Sequence, residues 1–315
     1  MGWNPTSWLN PIPGTGGSII VIRKPVIGIS LRVRQAIRRP AIDMPDSLFA
    51  RRFNAAQAVI PFCVGLDPDP ERLPVGLNHH RRPLLEFSRA IMDATCRFTR
   101  AFKFQFAHYA SVGAEADLQA AIRHLRDRCP EHLVILDAKR GDISATSACY
   151  AREAFDRYDA DAVTVSPYLG FESLQPFFVR PDRGAFVICR TTNSGSEQFQ
   201  SRGEPPLYLQ VAAAAARQSG KSHNVGLVAG ANRPEELAAI RALAPGLPIL
   251  APGIGAQGGD VREALLAASH QRFGAGILLS ASRSILFAGS GKDYASAAAQ
   301  AAEAFYRRIK AVLAE

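Results

Sequence analysis

The sequence predicts a single α/β domain of the (β/α)8 TIM barrel class, and three observations lead there. Eight short apolar runs alternate with helix-like stretches from residue 47 onward. Residues able to do chemistry recur just past the ends of those runs, where the loops of such a barrel build active sites. At 315 residues and 47% hydrophobic content, the chain can bury one barrel core plus a tail, or two smaller domains. The regular alternation favours the barrel over a doubly wound sheet.

Taken in order, residues 1–43 are rich in Pro, Gly and Trp and lack helical or strand periodicity. They read as a disordered extension. A non-native extension with true initiation at Met44 is the rival reading, and a transit peptide is a third; residues 44–315 are expected to form the barrel domain. Strand-like runs follow at 59–66, 101–106, 132–137, 161–166, 184–190, 224–229, 247–252 and 274–280. Their brevity and apolar character suit strands of a parallel sheet covered on both faces. Helices are expected between them at 84–99, 114–128, 207–218, 234–243 and 260–270, with an alanine-rich last helix over 294–313.

Bulk composition narrows the function. The net charge is +9, but residues 1–43 carry six basic residues against one acid, Asp43, so the remainder holds only +4. No aromatic-interleaved basic stripe accompanies it, which argues against nucleic-acid binding as the main function. Five scattered cysteines, with no C-x-x-C pair, point to a reduced, cytoplasmic chain without a metal knuckle or a disulfide framework. No run of 18 apolar residues occurs, so no membrane span is expected. Arg23-Lys24-Pro25 cuts short the apolar piece at 19–22, which spoils it as a signal-peptide core.

The third run ends in Asp137-Ala138-Lys139-Arg140-Gly141-Asp142-Ile143, a D-x-K-x-x-D pattern. Side chains alternate across a strand, so Asp137 and Lys139 are expected on one side and Ala138 on the other. Charges at the end of a buried strand are costly unless they pair or react. A structural ion pair capping the next helix is the plain alternative. Against it stands the company at the other strand ends: Gly65-Leu66-Asp67, Lys103, Arg190 to Gly195, Gly230, Pro252 to Gly259, and Ser282-Arg283.

The segment after the seventh run contains Gly253-x-Gly255-x-x-Gly258, a formal dinucleotide fingerprint. That reading fails because the acidic residue expected about 20 positions on is missing. The glycines still free backbone N–H groups for an oxyanion. In α/β barrels the loops after strands seven and eight commonly hold a phosphate. Arg283 offers a bidentate clamp and Gln257 an amide donor, although Arg283 also reads as a plain surface cation. Gly291-Lys292 imitates a P-loop end but is followed by Asp293, and Leu286 occupies the earlier glycine position, so it is expected to be a turn. The seven histidines show no metal-ligand spacing; His79-His80 is expected in solvent and His108 in packing.

With these residues assembled, the chain resembles the orotidine 5′-phosphate decarboxylase family, most closely its bacterial type-two branch. The similarity runs from about Phe53 to Tyr306. It rests on Cys63-Val64-Gly65-Leu66-Asp67-Pro68, Lys103-Phe104-Gln105, the D-A-K-R-G-D-I segment with Thr146, Thr192-Asn193-Ser194-Gly195, and Ser282-Arg283-Ser284-Ile285. D-x-K-x-x-D alone also occurs in related sugar-phosphate barrels; combined with P-G-I-G-A-Q-G-G-D and the strand-two lysine it is highly specific. The resemblance implies cofactor-free and metal-free conversion of orotidine 5′-phosphate to UMP. It also implies an alternating charge chain Lys103–Asp137–Lys139–Asp142. Asp67 and Lys103 would hold ribose hydroxyls, Thr192 the pyrimidine, and Gln257 with Arg283 the phosphate, in a pocket that Ser282 helps to shape. Asp142, Ile143 and Thr146 would enter the neighbouring subunit's site in a homodimer.

Two departures from the family pattern bear on loop geometry. Asn193 is followed by Ser194 where proline is usual, so that loop is expected to close with different rigidity. Ser282 stands where glycine is common, which bears on the backbone of the phosphate pocket. The residue types suit the chemistry: loss of carbon dioxide leaves a carbanion at C6 with no electron sink, and a lysine ammonium there can stabilise and protonate it. Lys139 fits that role. The competing reading is a metal-dependent sugar-phosphate decarboxylase or synthase, which resembles the same signature but needs an added carboxylate near the strand-two end. Lys103 stands there, and no acid follows until Glu115. A nucleotide-phosphate sensor would need no Asp–Lys–Asp cluster.

Overall fold

The computed structural model describes residues 47–315 apart from 255–258, 271–273 and 275. The expected extension at 1–43 and Gln257 therefore lie outside the described residues. Eight parallel strands close into a barrel in sequence order. They are β1 (Phe62–Leu66), β2 (Ala101–Gln105), β3 (Leu133–Arg140), β4 (Ala162–Val165), β5 (Gly184–Arg190), β6 (Val225–Ala229), β7 (Ile249–Pro252) and β8 (Ile277–Ala281). Each expected run coincides with one strand, although β3 continues to Arg140 and β8 to Ala281, past the expected ends at 137 and 280.

Period-two alternation divides the core in two. Phe62, Val64, Phe102, Phe104, Val134 and Leu136 face outward and pack with the surrounding helices. Cys63, Ala101, Leu133, Ile135, Ala162, Phe186, Val228, Leu250 and Leu278 have the opposite parity and fill the barrel axis. Lys103 and Gln105 share the parity of Ala101, and Asp137 that of Leu133 and Ile135, so alternation alone turns them inward. The axis is thus apolar at the strand starts and charged at the strand ends.

A helix that the alternation of runs did not reveal, Leu48–Val59, plugs the lower mouth. Phe49, Phe53 and Ala56, at helical spacing, are its buried face. Phe49 meets Phe186 edge-on, with ring centroids 5.7 Å apart. Glycines make room for these rings: a Cβ at Gly184 would strike the Phe49 ring, and one at Gly226 would lie 2.6 Å from that of Phe186. Ser47 caps the helix by accepting the Ala50 N–H at 3.0 Å. Truncating a fully buried aromatic typically costs about 3–5 kcal/mol. Phe49→Ala is therefore expected to lower unfolding stability by about that much, with turnover of the folded fraction unchanged. Denaturant titration checks this, and a loss below about 1 kcal/mol would show that the plug is dispensable.

The helices at Glu115–Arg128, Pro234–Leu243 and Tyr294–Leu313 lie where expected. The crossover from β3 to β4 uses Ser144–Arg152, which carried no apolar stripe because its buried residues are Ser147 and Ala151. His79 and His80 are exposed, and residues 291–293 form the turn before the last helix.

Candidate active site

The end of β3 builds the centre of the site. Ala138 and Arg140 turn outward. Arg140 holds Glu153 through two bonds of 2.9 and 3.1 Å, with its guanidinium over the rings of Phe106 and Tyr150. Asp137 and Lys139 turn inward and pair, Nζ to Oδ1, at 2.7 Å. The register with β4 breaks between Leu136 and Arg140, and Lys139 there takes φ 48°, in the left-handed region. That conformation costs a residue with a side chain about 1–2 kcal/mol, so the surroundings must hold it. Thr164 on β4 does so by accepting the Lys139 N–H at 3.0 Å.

From this pair a row of alternating charge crosses the floor. Lys103 Nζ lies 3.1 Å from Asp137 Oδ2 and 3.2 Å from Asp67 Oδ1. Gln105, opposite Asp137 in the β2–β3 register, donates to Oδ2 at 3.0 Å, and Thr164 donates to Oδ1 at 2.8 Å. Burial alone would raise the Asp137 pKa. The ammonium groups of Lys103 and then Lys139, with the hydrogen bonds from Lys139 and Thr164, outweigh it and hold the carboxyl well below its usual range. Burial likewise disfavours the Lys103 charge, but Asp67 and then Asp137 hold it well above the usual lysine range. Beneath them burial pushes the Cys63 thiol up to about 12, so it stays neutral. Lys139 differs from Lys103 in being half exposed, within reach of a bound molecule.

Above the floor opens a cavity of about 310 Å³ with two unlike sides. Asp67, Lys103, Asp137 and Lys139 make one; Ile188, Val228, Leu250 and Pro252 make the other, an apolar wall suited to a flat ring. Thr191, Thr192 and Asn193 line the rim beyond β5. That loop is anchored by buried Arg190, which holds Glu236 at 2.6 and 3.2 Å and donates to Ser196 Oγ at 2.6 Å. Ser196 in turn donates to the Asn193 carbonyl, and Gln200 accepts the Thr191 N–H at 2.8 Å. Side-chain contacts thus brace the loop that carries Ser194 where proline is usual.

Across the mouth stands Arg283, exposed, its guanidinium without a carboxylate or hydrogen-bond partner among the described residues. Ser282 also lines the cavity, and its side chain occupies the space that a Cβ at Gly65 would need. Glycine at position 65 therefore makes room for a serine at 282.

The cavity brings together Asp67, Lys103, Asp137, Lys139, Thr192, Ser282 and Arg283. It does not include Asp142, Ile143 or Thr146 of the same chain. Asp142 accepts its neighbour's N–H from Ile143 at 2.7 Å and makes no ion pair among the described residues, so within one chain the charge row runs Asp67–Lys103–Asp137–Lys139. Ile143 is 69% exposed. His108 bonds the Pro68 carbonyl at 2.9 Å, a packing role. Sequence reasoning gave no role to Gln105 or Thr164. A polar residue inside the apolar run Ala162-Val163-Thr164-Val165 was the available signal for the second.

The geometry can be set beside known proteins. The sequence profile described as Orotidine 5′-phosphate decarboxylase / HUMPS family matches residues 61–300. The orotidine 5′-phosphate decarboxylase of Verminephrobacter eiseniae is 47% identical over 242 residues, 75% of this chain and 88% of its own. That of Ralstonia nicotianae is 48% identical over 244 residues, covering 77% and 90%. Among solved structures, Leishmania donovani OMP decarboxylase superposes with a TM-score of 0.71 at 35% identity, over 85% of this chain and 98% of that one.

Proposed function

This chain belongs to the orotidine 5′-phosphate decarboxylase family and converts orotidine 5′-phosphate to UMP, a carboxy-lyase step of pyrimidine biosynthesis; from that premise we propose how its residues divide the work. The observation that carries the reading is the row Asp67–Lys103–Asp137–Lys139 facing an apolar wall, with Arg283, whose side chain has no partner among the described residues, across the mouth.

The pyrimidine lies against Ile188, Val228 and Leu250 with C6 toward Lys139, and Thr192 meets its polar edge. Asp67 and Lys103 hold ribose hydroxyls, and Arg283 with Gln257 holds the phosphate. The bond from C6 to the carboxylate carbon breaks, its electron pair stays on C6, and carbon dioxide leaves. The Lys139 ammonium stabilises that pair and then gives C6 its proton. Asp137 stays charged beside the substrate carboxylate. Two such charges ~4 Å apart repel by roughly 4 kcal/mol at an effective dielectric of 20, a repulsion that is relieved as carbon dioxide departs. Phosphate binding far from C6 supplies energy for closing the loops over the base.

We further infer a homodimer with shared sites. Asp142, Ile143 and Thr146 project from the rim outside their own cavity, and Ile143, Tyr168 and Leu169 leave apolar surface exposed on the adjacent loops after β3 and β4. Five free cysteines support a reducing compartment, the cytoplasm.

Loss of orotidylate absorbance on adding enzyme, with EDTA present, tests the activity and separates it from a metal-dependent sugar-phosphate reaction. Arg283→Ala is expected to raise KM for orotidylate at least about tenfold, because a charge-assisted clamp on the phosphate is lost. It should scarcely alter reaction of the phosphate-free nucleoside, which gives the arginine nothing to grip. Equal losses on both substrates would place Arg283 at the pyrimidine or in the fold.

A further inference from the structure

One hydroxyl joins the two groups that flank the reacting carbon. Thr164 is 1% exposed, sits on β4 and forms part of the cavity floor. Its only proton goes to Asp137 Oδ1, at 2.8 Å, and its lone pairs receive the Lys139 N–H, at 3.0 Å. The β3–β4 register breaks at that place, with paired residues Leu136↔Val163 resuming only at Arg140↔Val165. Lys139 adopts its left-handed backbone inside this interruption. The hydroxyl therefore sits where the strand leaves regular geometry and where a fixed position matters most.

We propose that Thr164 is a positioning residue for decarboxylation, locking the Asp137 carboxylate and the Lys139 backbone into one rigid unit before substrate enters. This deepens the reading of Lys139 as proton donor and rests on it. Asp137 has no slack left: Lys139 Nζ and Thr164 take Oδ1, while Lys103 Nζ and Gln105 Nε2 take Oδ2. With both oxygens doubly held, the carboxylate cannot rotate away from an incoming substrate carboxylate without leaving a buried donor unpaired. Without the hydroxyl, Oδ1 keeps only the half-exposed lysine, and the backbone of Lys139 loses its side-chain acceptor. The Thr164 hydroxyl is engaged by Asp137 and the Lys139 backbone and not turned to a bound nucleotide, so its effect is expected in the chemical step.

The test uses the full chain carrying Thr164→Val, which replaces the hydroxyl by a methyl of similar volume, beside Thr164→Ser, which keeps the hydroxyl. At saturating orotidylate, Thr164→Val is expected to lower kcat by about tenfold to a hundredfold, the usual consequence of small misplacement in an active site. Its affinity for UMP should stay within about threefold of wild type, and Thr164→Ser should keep kcat within about threefold. If Thr164→Val does not fold, Thr164→Cys, a weak donor of similar size, takes its place. The role is overturned if the hydroxyl-less protein keeps wild-type kcat, if the serine protein is equally slow, or if UMP affinity falls in step with kcat. Lys139→Ala, assayed alongside, tells the failures apart. A Lys139→Ala protein that still turns over defeats the proton-donor reading, whereas an inert one beside an unimpaired Thr164→Val defeats only the positioning role.

Discussion

Lys139→Ala is expected to abolish turnover of orotidylate while leaving UMP binding largely intact. The ammonium is half exposed, paired to Asp137 at 2.7 Å, and aimed into the cavity from the end of β3. A ground-state nucleotide gains little from it, because its charge is needed once an electron pair develops on C6. Losing both the stabilising charge and the proton source should cost more than the ~10²–10⁴-fold typical of general acid work alone. Retention of more than about a hundredth of wild-type turnover would remove Lys139 from the proton-donor role. A fall in UMP affinity matching the fall in kcat would instead make it a binding residue.

The second large effect is a gain. Lys139→Ala and Asp142→Ala proteins should each be inactive alone, yet activity should return when they are unfolded together, mixed and refolded. Asp142 stands outside its own cavity, two residues beyond the end of β3, and exposed Ile143 follows it. In a two-fold dimer with crossed contributions, one site of a mixed pair receives both lesions and the other receives neither. Random pairing makes about half the dimers mixed, so roughly a quarter of wild-type activity should reappear. Verified mixed dimers without activity would show that Asp142 serves its own chain.

The pairing of Asp137 has a consequence for stability. A carboxyl held below its ordinary pKa by Lys103 and Lys139 adds stability above the ordinary carboxylate range. That contribution is lost progressively as pH falls from the ordinary carboxylate range to the depressed folded-state value. Loss of activity in mildly acidic solution should therefore be traced to other groups.

Much of this protein was legible before its coordinates. Eight apolar runs of strand length, separated by helical stretches, determined a closed α/β barrel, because parallel strands buried on both faces need a covering helix between each pair. The same periodicity set the inward side chains, since parity along a strand is a local property: Asp137 shares it with Leu133 and Ile135, and Lys103 with Ala101. The tertiary structure alone decided who stands opposite whom. Gln105 meets Asp137 through the β2–β3 register, and Thr164 reaches both Asp137 and Lys139 across a break in the β3–β4 register, pairings 32, 27 and 25 residues apart in the chain. The plugging helix was hidden for a related reason, because Phe49 finds its partner in Phe186 at the far side of the sequence. Local periodicity tells a side chain which way to face; only closure of the barrel chooses what it will meet there, because register is set by the packing of every strand at once.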